Sequence, residues 1–402
     1  MAQSGTNGIS CRIRGCSVSL LSAPVSSAIP VARPYLGAEE EQAVIDVLRS
    51  GWVTQGPRVT EFETRFARYI GCEHAVAVSS CTTALHLGLL ALGVGPGDEV
   101  ICPSLSFIAT ANAIVYTGAT PVFCDIDPAT YNLDPARMED AITPRTKAIL
   151  VVHQIGLPAA MHEILAVAAR HGLAVIEDAA CAIGAEYKGR LIGAPLGVLA
   201  CFSFHPRKIL TTGEGGMITT SDAKIAERLR RIRQHAMSLS DVARHSATQI
   251  TTETYDEIGF NFRMTDMQAA IGITQLERLR EFLDRRRYLA ERYTSSLRHL
   301  PWLMTPSVPS DCRHNYQSYM VRLIAGFESK RDKIMQQLLE KNISTRRAIM
   351  AIHRELPYRS ERWKSCLPQT ELVTDSGLIL PLFHELTDSE QDYIIESVQL
   401  LR

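Results

Sequence analysis

Short apolar runs alternate with amphipathic stretches along the first part of the chain. The apolar runs, rich in valine, isoleucine and alanine, are typical of buried strands, whereas the stretches between them repeat apolar residues every three or four positions, as helices do. Strands are predicted at residues 75–78, 99–102, 120–124, 148–152, 173–176 and 199–204. Helices are predicted at residues 39–49, 59–69, 84–92, 136–142, 161–171 and 223–233. This alternation predicts an α/β fold with parallel strands joined by right-handed crossovers.

The C-terminal part of the chain has a different pattern. A long helix at residues 276–297 carries leucines and aromatic residues on one side and Arg285, Arg286 and Arg287 on the other. The elements predicted after it are a half-buried strand at 316–323, a helix at 330–341, and a final helix that starts at a capping box of Thr387 and Glu390. These short elements predict a second, smaller unit.

A chain of 402 residues is long for one hydrophobic core and short for three. We therefore expect a large domain with an N-terminal arm at residues 29–275 and a small domain at residues 276–402. Residues 1–28 are expected to form a disordered or weakly ordered tail.

The charge balance and the cysteines narrow the class of function. Lysine and arginine together number 42, and aspartate and glutamate number 43, so no overall basic field attracts nucleic acid or an acidic membrane. No segment has the ~18 apolar residues of a membrane span. The ten cysteines include no Cys-x-x-Cys pair, and we interpret them as reduced thiols of a cytoplasmic protein without a zinc site. Small-molecule chemistry is the class that remains.

Two strand ends carry an acid and an amine. The apolar run 173–176 leads to Asp178, and the run 199–204 leads to Lys208. Open α/β sheets bind ligands at the carboxyl ends of their strands, so we expect these two side chains to meet at one edge. The pair suits pyridoxal 5'-phosphate (PLP), whose aldehyde forms a Schiff base with the lysine while the acid keeps the ring nitrogen protonated. We expect burial and a cationic ring to lower the pKa of Lys208, so that its free amine can move protons.

Two further motifs have both a structural and a functional interpretation. The hydroxyl-rich stretch at residues 79–83 either caps the helix 84–92 or binds a phosphate at its positive end. Phe107, which follows the strand 99–102, either packs in the core or stacks on a flat cofactor.

Four segments, in this order along the chain, resemble one known family: SSCTTALHLGLLALGVGPGDEVICPSLSFIATANAI, IEDAACAIGA, FSFHPRKILTTGEGGM and IGFNFRMTDMQAAIG. The chain resembles the DegT/DnrJ/StrS family of PLP-dependent sugar aminotransferases from about Ile29 to its C-terminus. The resemblance implies PLP-transferase fold type I. That fold has a three-layer large domain with a mostly parallel seven-stranded sheet, followed by a smaller α+β domain.

The resemblance also implies roles for individual residues. Lys208 and Asp178 are the expected catalytic pair. The residues expected to bind the cofactor are Cys81, Thr82, Phe107, Asp178, Cys181, Ser203, Lys208 and Asn261. His353 and Tyr358 are the expected contacts to the acceptor substrate. In the family the asparagine reaches the cofactor phosphate of the neighbouring subunit, so a homodimer with shared active sites is expected.

One position departs from the family pattern. Most members carry glutamine or histidine where this chain has Cys181, and that side chain hydrogen-bonds the cofactor's ring oxygen. A thiol donates only weakly, so either another group supplies this contact or the contact is lost.

The expected reaction is transfer of an amino group from glutamate or glutamine to a keto group on a nucleotide-linked deoxysugar. Amination of a cyclitol ketone is an alternative with the same cofactor. Family members that deoxygenate sugars tend to have histidine at the lysine position, so Lys208 argues against that chemistry. A PLP-binding regulator without turnover is the alternative from another class.

Overall fold

The structure, a computed structural model, describes residues 28–194, 196–239, 252–324, 326–360 and 366–401. The expected tail at residues 1–28 therefore lies outside the described residues, except for Ala28. The α-helices in these ranges are α1 (Ala38–Ser50), α2 (Pro57–Ile70), α3 (Cys81–Ala91), α4 (Ala109–Tyr116), α5 (Pro135–Ala141), α6 (Met161–His171), α7 (Ala223–Ile232), α8 (Asp266–Leu297), α9 (Arg331–Glu340), α10 (Pro368–Ser376) and α11 (Asp388–Gln399).

The strands of the described residues form three sheets. They are β1 (His74–Val78), β2 (Glu99–Pro103), β3 (Thr120–Cys124), β4 (Thr146–Val152), β5 (Ala174–Asp178), β6 (Glu186–Tyr187), β7 (Arg190–Leu191), β8 (Leu199–Ser203), β9 (Gly216–Thr220), β10 (Leu303–Met304), β11 (Cys312–Arg313), β12 (Tyr319–Leu323), β13 (Arg346–Arg347) and β14 (Gly377–Leu380). The largest sheet has seven strands in the order β1-β9-β8-β5-β4-β2-β3, and β9 is its antiparallel member. The expected mostly parallel seven-stranded sheet is confirmed.

Helices cover both faces of this sheet, which confirms the three-layer architecture. On one face, α2, α6 and the first half of α8 enclose a core that includes Phe62, Ile164 and Leu279. On the other face, α3, α4 and α7 enclose a core that includes Leu85 and Leu229. Because side chains alternate along a strand, Ile176 and Asp178 of β5 lie on the face of α3 and α4.

Two elements of the large sheet region were not predicted. Strand β9 follows the glycine-rich turn after Lys208 and pairs antiparallel with both β1 and β8. Helix α4 is short and apolar, with no side-chain hydrogen bond at its N-cap, and so it lacks the usual start signal. Both elements border the strand ends that carry the expected chemistry.

Helix α8 starts earlier than predicted and contributes buried residues to two hydrophobic cores. It begins at Asp266, where Thr265 and Gln268 form a capping box, instead of at residue 276. Its first half packs in the core under the large sheet, and its second half packs against the four-stranded sheet of order β10-β12-β14-β13. The division at residues 275 and 276 stays a prediction, since one continuous helix crosses it.

The C-terminal unit has its own antiparallel sheet and hydrophobic core. Tyr293, Tyr319 and Phe383 are buried there, together with apolar residues of α9 and α11. Helix α11 begins at the predicted capping box, in which Thr387 Oγ1 accepts from Glu390 N and Glu390 Oε2 accepts from Thr387 N. None of the helices in the described ranges is long and apolar enough to span a bilayer.

Candidate active site

The carboxyl ends of β5 and β8 bring the predicted acid and amine to one edge of the large sheet. Lys208 Nζ donates to Cys181 Sγ at 3.0 Å, and Cys181 lies three residues after Asp178 in the sequence. Cys81 Sγ lies 4.0 Å from Asp178 Oδ1 and 3.6 Å from the carbonyl oxygen of Cys201. The structure therefore brings four of the predicted residues together: Asp178, Lys208, Cys81 and Cys181.

Asp178 is a buried carboxylate that accepts hydrogen bonds from Ala180 N and Thr110 Oγ1, besides the long contact from the Cys81 thiol. It is 5% exposed, and its Oδ1 accepts from Ala180 N at 3.1 Å while its Oδ2 accepts from Thr110 Oγ1 at 3.0 Å. Burial raises the pKa of Asp178, although the Ala180 N–H, Lys208 and Thr110 act in the opposite direction. A cationic ring nitrogen beside this carboxylate would favour its ionised form, which is the state the expected role requires.

The pKa of Lys208 depends on effects that act in opposite directions. Burial acts to lower the pKa of Lys208, but the acidic groups of Cys181, Cys81 and Asp178 outweigh burial and the net pKa is raised. The protein's own groups therefore do not supply the expected lowering. A further positive charge near the amine, such as a protonated ring, would add to the effect of burial.

The N-terminus of α3 fits a phosphate. Ser80 caps the helix, since its Oγ accepts from Thr83 N at 3.2 Å and its carbonyl oxygen accepts from Ala84 N. The first N–H groups of a helix have no intrahelical acceptor, which leaves those of Cys81 and Thr82 directed out of the helix end. Both interpretations of this stretch are thus compatible, because capping uses Ser80 and Thr83 and leaves the next donors for an anion.

Glycine is required where β9 meets this helix end. A Cβ on Gly216 would lie 2.5 Å from the carbonyl carbon and oxygen of Ser80 and 2.8 Å from Cys81 N. Ser203, at the end of β8, pairs with Gly216 across the sheet and is partly exposed. The helix end, Ser203 and the Gly216 backbone therefore meet at one corner of the sheet edge.

We expect Gly216→Ala to weaken PLP binding ~10- to 100-fold, because the new methyl group must displace the backbone that is expected to hold the phosphate. Titration of cofactor-free protein with PLP, followed by absorbance, measures the change. Gly95→Ala is the matched control, since a Cβ there meets nothing within 4 Å. Equal affinities of the two variants would show that this corner does not hold the phosphate.

Cys181 is held by residues that the sequence did not single out. Asn315 Nδ2 donates to the carbonyl oxygens of Cys181 at 2.7 Å and of Ile183 at 2.9 Å. Gly156, with φ of +97°, lets Asn315 approach, because a Cβ at Gly156 would lie 1.7 Å from Asn315 Oδ1. The Cys181 thiol thus contacts the Lys208 amine from a backbone that Asn315 holds in place.

Phe107 and Asn261 have exposed side chains. Phe107 is 63% exposed in the loop between β2 and α4, so it is not a core residue of this chain. Asn261 is also exposed, and its backbone forms an isolated bridge with Gln234. Stacking by Phe107 and the reach of Asn261 into a second subunit stay predictions.

His353 and Tyr358 are engaged within the protein. His353 Nδ1 lies 2.7 Å from Ser104 Oγ, and its Nε2 lies 3.2 Å from Glu371 Oε1. Tyr358 is 4% exposed, and its hydroxyl donates to Asn112 Oδ1 of α4 at 2.7 Å. Both residues thus form hydrogen bonds with the segment that runs from the end of β2 to α4. Their contact with an acceptor substrate stays a prediction.

The donor set as a whole fits PLP. A buried carboxylate, a primary amine and an open helix N-terminus surround one sheet edge, and they match the ring nitrogen, the aldehyde and the phosphate of the cofactor. Residues that sequence reasoning missed support this set, above all Thr110, which bonds Asp178 directly.

Comparison with known proteins agrees with this geometry. The sequence model of the DegT/DnrJ/EryC1/StrS aminotransferase family matches residues 34–399. GDP-perosamine synthase of Caulobacter vibrioides is 44% identical over 372 residues, which are 92% of this chain and 97% of that protein.

Two solved structures show the same fold. The PLP form of a sugar aminotransferase from Streptococcus pneumoniae, Spr1654, superimposes with a TM-score of 0.86 at 28% identity, covering 93% of this chain and 100% of that one. DesI, solved in the presence of its TDP-sugar product, has a TM-score of 0.84 at 33% identity and covers 94% of each chain.

Proposed function

The chain belongs to the DegT/DnrJ/EryC1/StrS aminotransferase family, and on this premise we propose that it transfers the amino group of glutamate or glutamine to a keto group on a nucleotide-linked deoxysugar. Membership makes the protein a PLP-dependent aminotransferase with sugar aminotransferases as relatives. One relative is named for GDP-perosamine, and another was solved with a TDP-sugar product. These names support a sugar nucleotide as the acceptor.

The observation that carries the proposal is the meeting of Asp178 and Lys208 at the edge of the large sheet. PLP, when bound, supplies an aldehyde that takes up the amino group and a ring that withdraws electrons from the bond that breaks. Asp178 would keep the ring nitrogen protonated. Lys208 would hold the cofactor, and its released Nζ would move protons at the reacting carbon. Cys81, Thr82 and Ser203 would hold the phosphate.

A substrate panel tests the proposal. Purified holoenzyme is given glutamate or glutamine together with nucleotide keto-sugars or keto-cyclitols, and release of the 2-oxo acid is measured. We expect turnover with at least one nucleotide keto-sugar. Turnover with cyclitol ketones alone would show that the acceptor is a cyclitol and not a sugar nucleotide. Binding of PLP without turnover of any acceptor would favour a regulator.

The proposal includes a homodimer whose active sites are shared. Asn261 is exposed, and the stretch before it exposes the apolar side chains of Tyr255 (57%) and Ile258 (88%). These exposed apolar residues lie close in sequence to Asn261, which is expected to reach the cofactor phosphate of the neighbouring subunit. They therefore support a contact between subunits at this place.

Mixing two variants that are each expected to be impaired tests whether the two subunits share their active sites. In a mixed dimer of Lys208→Ala and Asn261→Ala, one site combines an intact Lys208 with the intact Asn261 of the other subunit, and the second site carries both changes. After random reassociation of equal amounts, about half of the dimers are mixed and about a quarter of all sites recover. No gain over the average of the two variants would show that Asn261 serves its own subunit.

A further inference from the structure

Two buried hydroxyl groups lead from the loop after β2 to Asp178. Ser106 Oγ lies 2.7 Å from Thr110 Oγ1, and Thr110 Oγ1 lies 3.0 Å from Asp178 Oδ2. Ser106 is 3% exposed and Thr110 is 1% exposed, so water does not reach these groups freely.

The direction of both hydrogen bonds is fixed by the charge at one end. An ionised carboxylate only accepts, so the single hydroxyl proton of Thr110 points to Asp178. The Thr110 oxygen then accepts from Ser106, which is the remaining donor of the pair. Both protons are thus directed towards Asp178, and each bond strengthens the next in a site of low dielectric.

The outer end of this pair is tied to the segment at residues 350–353. Ser106 N donates to Met350 O at 3.3 Å, and Leu105 forms an antiparallel bridge with Ala351. Two residues before Ser106, Ser104 Oγ lies 2.7 Å from His353 Nδ1. The loop that places Ser106 is therefore held by the segment that carries the expected acceptor contact.

We propose that Thr110 is a positioning residue for Asp178, with Ser106 as its support, and that this pair holds the carboxylate ionised and aligned with the cofactor's ring nitrogen. The inference rests on the proposed role of Asp178. The groups around Asp178 act in the same direction as this proposal. Burial raises the pKa of Asp178, whereas Thr110, the Ala180 N–H and Lys208 favour its ionised form.

Two substitutions at Thr110 separate this role from simple packing. Thr110→Val keeps the branched shape and removes the hydroxyl, whereas Thr110→Ser keeps the hydroxyl and removes a methyl group. If Thr110 only fills space in α4, serine is the worse replacement, because it leaves a void. If Thr110 holds Asp178, valine is the worse replacement, because the buried carboxylate loses a donor.

The variants are compared as holoenzymes by kcat and KM, and by the ¹⁵N signal of PLP labelled at the ring nitrogen. We expect Thr110→Val to lower kcat ~10- to 100-fold with little change in KM, as the loss of a hydrogen bond to a charged group predicts. Its ring-nitrogen signal should move towards the unprotonated position, while Thr110→Ser stays close to the native protein. A native-like Thr110→Val together with an impaired Thr110→Ser would overturn the inference.

Asp178→Asn, measured in parallel, separates this inference from the proposed function. If Asp178→Asn shifts the signal and Thr110→Val does not, only the role of Thr110 fails. If Asp178→Asn changes neither readout, the role of Asp178 fails and the inference fails with it. Should Thr110→Val not fold, Ser106→Ala carries the test: a smaller shift of the signal in the same direction supports the inference, and no shift overturns it.

Discussion

Replacing Lys208 with alanine is expected to reduce transamination at least ~100-fold, the lower end of what a positioned acid–base group contributes. The loss should be larger than that, because one amine performs two tasks. In the proposed mechanism it holds the cofactor covalently, and it moves protons after release. Lys208 is also the amine that contacts Cys181 Sγ, at 3.0 Å. Initial rates with glutamate and the acceptor identified by the panel measure the effect.

Two controls make this result specific. Lys224→Ala removes an exposed lysine at the start of α7 and should leave the rate unchanged. A small primary amine added to Lys208→Ala should restore part of the rate, because it can carry protons in the space that the side chain leaves. A rate within a few-fold of the native protein for Lys208→Ala would contradict the assignment of this lysine.

Asp178→Asn is the second substitution with a large expected effect. Asparagine keeps the shape and can still accept from Ala180 N, but it removes the negative charge that is proposed to hold a proton on the ring nitrogen. We expect kcat to fall ~100-fold or more, as for loss of a preorganised electrostatic contact in a buried site. The visible spectrum of bound PLP should change at the same time.

The same substitution should raise the thermal stability of the cofactor-free protein. Burial raises the pKa of Asp178 in the folded state, so an ionised Asp178 costs stability as the pH rises through its unfolded and folded pKa values. Asparagine carries no charge and removes that cost, and the gain should be present at neutral pH and vanish in acid. A lower melting temperature with unchanged activity would contradict both the catalytic role and the electrostatic description.

The strand ends were predictable because the pattern is local. A buried strand stops where its apolar run stops, so Asp178 and Lys208 could be placed at the sheet edge from neighbouring residues alone. Parallel strands end on the same side of a sheet, which brings residues far apart in sequence to one place. The corner at Cys81 and Thr82 that is proposed to bind the phosphate follows from the same reasoning, because it lies at a helix start just after a strand.

Thr110 was not predictable in this way. It is 68 residues from Asp178 in sequence, and the contact depends on how α4 packs over β5. A threonine within the apolar stretch IATANAI is the only local signal, and packing explains such a residue equally well. Asn315 is a similar case, since its bond to Cys181 crosses from the C-terminal unit.

Arg286 was placed on the wrong face of the long helix, although the helical spacing in the sequence indicates the buried face. It was expected on the polar side of the long helix with Arg285 and Arg287, yet it is 4% exposed and donates to the carbonyl oxygens of Tyr316, Gln317 and Leu382. Burial lowers the pKa of Arg286 to about 10. Its spacing from Phe282 and Leu289 is that of one helix face, so helical periodicity places it with the apolar residues.

Borohydride reduction of the holoenzyme, followed by peptide mass mapping, tests the central assignment most directly. Reduction converts the bond between PLP and its lysine into a stable secondary amine. The predicted result is the mass of a phosphopyridoxyl group on the peptide that contains Lys208, and its absence from Lys208→Ala. The same mass on another lysine, or unmodified protein after reduction in the presence of PLP, would contradict the role of Lys208.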